Sequence, residues 1–218
     1  MQPITVTAGP LATASANAIC LSQTPAAAGA LTLNGALVVS GVAVMDTPRR
    51  VLITPAGSES AKTFTITGTG ANGNTVSEVI AGVNNPATAQ SVLDYKTVTS
   101  ITISAAAAGA ITVGTSGVGG SKWVVFDAFA PSLISLQCNV TGTVNYTVQT
   151  TLNDPYDPIT PVAPASVVWV NSSDTAVVGA TATQQSNFMF APVYARILIN
   201  SGAGSVAATF LQSSNGPK

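Results

Sequence analysis

The sequence predicts an all-β chain, with two β-sandwich or jelly-roll-like domains and an uncharged N-terminal arm. Three observations carry this expectation. Short runs rich in Thr, Val and Ile alternate polar and apolar residues, the period-two pattern of half-buried strands. Gly, Asn and Pro punctuate these runs where turns belong. No segment longer than ten residues combines a 3.6-residue apolar period with helix caps. The 218 residues suffice for about two domains of roughly 100 residues each.

Residues 1–45 form the first region and contain no charge; Asp46 is the first charged residue. In it, 4–7 reads as a strand, and 31–33 with 37–39 read as a hairpin over Asn34-Gly35. The Ala/Ser/Thr tract between them reads either as an extended arm, ordered only against another surface, or as part of the first domain's sheet. The most apolar stretch, 30–45, is broken by Asn34, Gly35, Ser40 and Gly41 and is shorter than a membrane span. The start of the chain lacks a positively charged leader pattern, so the simplest expectation is a protein made and used without secretion.

Residues 46–118 form the first domain. TFTIT at 63–67 alternates cleanly, Asn72-Gly73 marks a hairpin, and 75–80 is its return strand. Residues 97–104 and 111–113 are further strands rich in β-branched side chains. The four alanines at 105–108, followed by Gly109, read as a small-residue connection. Residues 119–218 form the second domain, opening at Gly119-Gly120-Ser121. Its apolar runs at 123–126, 133–140, 144–150, 167–170, 188–190, 194–200 and 205–212 match a sandwich or jelly roll. The proline-rich stretch 153–164 cannot sustain a ladder and is a loop.

Charge excludes several functions. Only 7% of residues are charged, against about 25% in ordinary domains. The seven basic residues are scattered, with Arg49-Arg50 the only pair, so no basic footprint for nucleic acid exists. Without histidine there is no imidazole base, His-based triad or His zinc site. Cys20 and Cys138 cannot build a disulfide framework; they read as two buried thiols, unpaired in a reducing cytosol, rather than as one bridge. No motif selects a pair among the eight acidic residues, and Gly68-Thr-Gly70 and Gly117–Gly120 lack a P-loop's lysine. The expectation is a protein without enzymatic activity, cofactor or metal. Asn153, Asp154 and Asp157 read as Asx turns ahead of a Ca²⁺ site. Trp123 and Trp169 lie within apolar runs and read as core.

Residues 48–115 carry a recognisable pattern. TFTITG at 63–68 is followed by the Asn72–Asn74 hairpin, Glu78, KTVTSI at 96–101 and a closing glycine-rich run at 109–115. This resembles a β-sandwich module that recurs in structural proteins of tailed bacteriophages. The run ending ARILINSGAGSV at 195–206 is similar to C-terminal strands of such virion proteins. The resemblance implies a virion component, assembled in the bacterial cytoplasm. A capsid decoration or cement protein comes first, stabilising contacts between major capsid subunits. A neck, tail or head-fibre component comes second; a carbohydrate-binding adhesin, read from Tyr156 beside Asp154 and Asp157 and not from the resemblance, comes third. The resemblance also implies self-association, as a homotrimer at quasi-threefold positions. The expected partners are the major capsid protein and other copies of the chain, with no nucleic acid and no membrane. The residues expected at partner contacts are Ile4 and Val6, Leu31 and Leu33, Arg49 and Arg50, and the loop aromatic Tyr156.

Overall fold

The computed structural model describes residues 2–127, 130 and 133–213; Lys218 lies outside them. Every sheet pairing recorded among them is antiparallel, and the only helical elements are two single 3₁₀ turns, Pro164–Ser166 and Thr175–Val177. The chain is therefore all-β. It divides into two compact units, Ala12–Gly117 and a second made of Met1–Leu11 with Val118–Lys218.

In Ala12–Gly117 the central strand is Val42–Pro55, beside Ile111–Gly120 on one side and Tyr95–Ile103 on the other. Thr63–Gly70 and Thr75–Ala81 continue the sheet beyond Tyr95–Ile103, joined through Gly73 at φ 85°, as Asn72-Gly73 predicts. Ser15–Gln23 pairs with Ile111–Gly120, and Gly29–Ala30 with Tyr95–Ile103, so these parts of the first 45 residues lie in the unit's own sheet. Every odd position from Ala43 to Pro55 is buried, because a strand sends alternate side chains to one face. Arg49 falls on that buried parity and Arg50 does not.

The hairpin expected over Asn34-Gly35 forms elsewhere. Val38–Val39 pairs with Val42–Pro55 through Ser40 and Gly41, at φ 51° and 80°. Gly35 instead lies flat on Ser15–Gln23, where a Cβ would sit 2.3 Å from the backbone of Ala18. Asn34 Oδ1 accepts the amide of Leu21.

The other unit is a sandwich of two sheets around one core. One sheet has the order Ile4–Ala8, Ser205–Gln212, Ile134–Thr141, Gln184–Phe188. The other centres on Val144–Thr151 and Tyr194–Gly202, with Val170–Asn171 at its edge and Val124–Val125 on Tyr194–Gly202. Leu136, Cys138, Phe188, Val206 and Phe210 from the first sheet pack with Tyr146, Val148, Ile197 and Ile199 from the second. Phe126, Phe188 and Phe210 form a triangle of ring contacts 5.6–6.2 Å apart.

Candidate functional site

The structure does not gather the sequence-predicted contact residues into one site. Ile4, Val6 and Tyr156 belong to the sandwich unit; Leu31, Leu33, Arg49 and Arg50 belong to the other. Ile4 and Val6 are half-buried against the sandwich's own core. Leu31 is buried, its amide bonded to Ile101 O, and Leu33 is half-buried. Arg49, expected at a partner contact, is 1% exposed. Its Nη2 donates to Ser116 O at 2.6 Å, and its Nη1 lies 3.3 Å from both Asp46 carboxylate oxygens. It serves the interior of its unit because its strand parity turns it inward. Arg50 Nε lies 3.7 Å from Asp94 Oδ1 and is half-buried. Of these residues Tyr156 alone is fully exposed, at 61%.

Six of the eight acidic residues accept backbone amides, whereas Asp94 faces Arg50. Glu59 is fully buried; Oε1 accepts the amides of Ala108 and Gly109, and Oε2 pairs with Lys62. Glu78 accepts the amides of Val92 and Leu93. Asp46 accepts Ala12 N, and Asp174 caps the 3₁₀ turn through Ala176 N. Carboxylates used as clamps on loop amides are fixed in place and partly desolvated, as structural ones are. Among the described residues no group of three or more Cys, Asp or Glu is placed to hold a metal ion.

The 152–170 loop of the sandwich unit carries a network of side-chain-to-backbone hydrogen bonds. It starts where Thr151 pairs with Tyr194 at the end of its strand. Asp154 Oδ1 accepts both the amide of Tyr156, at 2.8 Å, and the hydroxyl of Tyr194, at 3.1 Å. Asp154 O accepts Val162 N, and Asn153 Oδ1 accepts Val168 N, so both ends of the loop are tied across it. Asp157 Oδ1 accepts the amides of Ile159 and Thr160 at 2.8 Å each. Asp154 and Asp157 thus form the Asx turns the sequence predicts, whereas Asn153 reaches across the loop instead.

An aromatic group supports the loop from beneath. Trp123 meets Trp169 edge-on at 5.1 Å and Tyr194 at 5.8 Å. Arg196 stacks on Trp169 at 4.4 Å, and its Nε donates to Gln149 Oε1 at 3.0 Å. Both tryptophans, expected in the core, are half-buried. Burial pushes the Tyr194 hydroxyl up to about 12, with Asp154 adding to the effect, so Tyr194 remains a donor at neutral pH.

Held in this way, the loop carries apolar side chains outward. Leu152 is 69% exposed and Ile159 86%; Val168 and Val170 also face solvent. Leu152, Val170 and Phe190 line a small recess of about 200 Å³ with Thr150, Thr151 and Asn171. Sequence reasoning singled out Tyr156 and missed Leu152, Val170 and Phe190. The signal was present in the apolar residues scattered through and beside a proline loop. No family model, curated protein or solved structure matches this chain.

Proposed function

We propose that this chain is a non-enzymatic structural protein of a tailed-bacteriophage virion, a capsid decoration or cement protein that binds across major capsid subunits and associates with itself. The observation that carries the reading is the 152–170 loop: an apolar surface held rigid by Asn153, Asp154 and Asp157 before any partner arrives. Ordering a flexible loop on binding costs affinity, and a loop already clamped avoids that cost. Exposed apolar side chains grouped on an ordered loop are the kind of surface that marks a protein contact.

Charge supports the same reading. With 15 charged residues in 218, few ions need desolvation when neighbouring subunits close on this surface. The commitment of Asp46, Glu59, Glu78, Asp154, Asp157 and Asp174 to backbone amides favours a structural over a catalytic use of the acids. The resemblance of residues 48–115 to virion modules supplies the setting, and repetition over a shell makes modest single contacts act together. A lasting contact needs about 1,200–2,000 Å² of total buried surface.

The test is the number of copies in purified particles, by quantitative mass spectrometry against the major capsid protein. A fixed ratio of one chain per one or a few capsid subunits is the expected result. A ratio far below that moves the chain to the neck, tail or a fibre, and absence from particles overturns the virion reading.

A further inference from the structure

The sandwich unit has a second feature that the loop does not use. The outer face of its four-stranded sheet forms an open trough of about 640 Å³. That volume falls within the range of small-ligand sites, about 300–1,000 Å³. Strand register builds the floor. Thr5, Thr209, Gln137 and Gln185 stand side by side across the four strands. Leu211, Ser135 and Asn187 form the next row, with Pro3 at its end. The side chains of the opposite parity, including Leu136, Cys138, Ala208 and Phe210, pack in the core, so the rows of Gln, Asn, Ser and Thr present their side chains on the outer face.

Among the described residues no ionisable side chain lines the trough. Its polar groups are amides and hydroxyls, Ser186 included, and its apolar residues are Pro3, Leu211 and the largely buried Leu136. Gln137 Nε2 donates to Asn139 Oδ1 at 2.9 Å, which fixes the amide, and Thr5 and Thr209 share a 2.8 Å hydroxyl contact. Side chains on one face repeat at about 4.8 Å across strands and about 6.7 Å along them, so donors and acceptors form a grid.

We propose that this trough binds a neutral oligosaccharide. A polyhydroxylated chain matches a grid of amides and hydroxyls that both donate and accept. The flat apolar faces of its rings match Pro3 and Leu211. Phosphates, acidic sugars and nucleic acids find no cation among the described residues of the trough to offset their desolvation. A protein partner finds no Trp, Tyr or Arg anchor of the kind that dominates protein interfaces. The site is separate from the 152–170 loop, and the inference does not rest on the virion reading.

The experiment uses the full chain and titration calorimetry with neutral hexasaccharides: β-1,4-linked glucose, α-1,4-linked glucose and β-1,4-linked N-acetylglucosamine. Hexagalacturonate is the acidic control. At least one neutral probe should bind and hexagalacturonate should not. Gln137→Ala and Asn187→Ala should each weaken binding about fivefold, the effect of one net hydrogen bond, and the double variant at least about twentyfold. Because both side chains are exposed, circular dichroism should be unchanged. The proposal is overturned if no neutral probe binds at millimolar concentration, if the double variant binds as wild type does, or if hexagalacturonate binds equally well. It also falls if the variants change the sedimentation coefficient of the free protein, which would make this face a contact between copies.

Discussion

The hydroxyl of Tyr194 donates to Asp154 at 3.1 Å, through the same carboxylate oxygen that accepts the amide of Tyr156. One atom therefore ties the proline loop to a strand of the sheet. Tyr194→Phe removes the tie and keeps the ring packing against Trp123. It should cost about 1 kcal/mol in stability, the usual net value of a hydrogen bond. Its larger effect should be local, with faster cleavage within 152–170 under limited proteolysis. Asp154→Ala removes both bonds and should accelerate cleavage further. Equal cleavage rates in all three proteins would show that the loop is held by other means.

Arg49 gives a second prediction. It is buried on the core parity of its strand, beside Asp46 and the carbonyl of Ser116. Arg49→Ala leaves a cavity and removes a donor from a buried carbonyl. Asp46 is exposed, so the loss comes from the emptied site and the orphaned carbonyl; it should be about 2–4 kcal/mol, read as a fall in the denaturant midpoint. A loss below about 1 kcal/mol would mean that the guanidinium carries no structural weight.

The same residue marks how far the sequence was legible. Strands at 63–70, 75–81, 95–103 and 205–212 are readable because one face of each is buried and alternates with the other; 144–151 is buried on both faces and is readable from its β-branched run. By its charge Arg49 reads as surface, although Ala43, Met45, Val51 and Ile53 share its parity. The apolar pattern puts this strand at 188–190 and not at Gln184–Phe188, because both its faces are polar up to Phe188. The hairpin moved from Asn34-Gly35 to Ser40-Gly41 because the side chain of Asn34 is used by Leu21, a contact local patterning does not reveal. The loop's apolar surface was only partly legible. Tyr194 is 40 residues from Asp154, and only the fold brings them together.

The thiols give a third prediction. Cys20 and Cys138 are free and fully buried. Burial pushes Cys20 up to about 12 and Cys138 up to about 11, the latter despite a hydrogen bond from Tyr146. The thiolate is the reactive form, so both should resist iodoacetamide at neutral pH in the folded protein and react fully in guanidinium. Intact mass before and after denaturation reads this directly. Alkylation of either thiol in the native state would contradict the burial.

A fourth concerns acid. Backbone amides of Thr160 and Ile159 hold Asp157 below its ordinary value of 3.8, and the amide of Ala176 with Ser186 holds Asp174 below it. A depressed carboxylate contributes stability above its unfolded pKa and loses it as pH falls through the lower folded one. The turns at 157–160 and 174–176 should therefore persist at pH 4 and loosen only below. The chain has no histidine, and its thiols are pushed upward, so the melting temperature should stay nearly flat from pH 5 to 8. Carboxyl carbon NMR shifts of the two aspartates against pH test the first statement; midpoints at or above 3.8 would refute it.

The N-terminal segment gives the last prediction. Ile4–Ala8 forms the edge of the four-stranded sheet, in register with Ser205–Gln212 from Ile4 opposite Phe210 to Ala8 opposite Val206. Ala8 and Leu11 are buried in the sandwich core, and Ile4 and Val6 pack against it. Deleting residues 2–11 therefore removes a strand, not a free arm. Two consequences follow from different physics. The core loses apolar contacts, which should cost at least about 3 kcal/mol, the scale of deleting one large buried aliphatic side chain. The ladder groups of Ser205–Gln212 that faced Ile4–Ala8 lose their partners and become an open edge, which invites pairing with another chain. The truncated protein should melt lower and form aggregates that increase with concentration. A synthetic peptide of residues 2–11 added in excess should reverse both effects by refilling the edge. A truncated chain with unchanged melting and sedimentation would mean that Ile4–Ala8 is dispensable to the sandwich. The segment would then be free to add its strand to a neighbouring subunit.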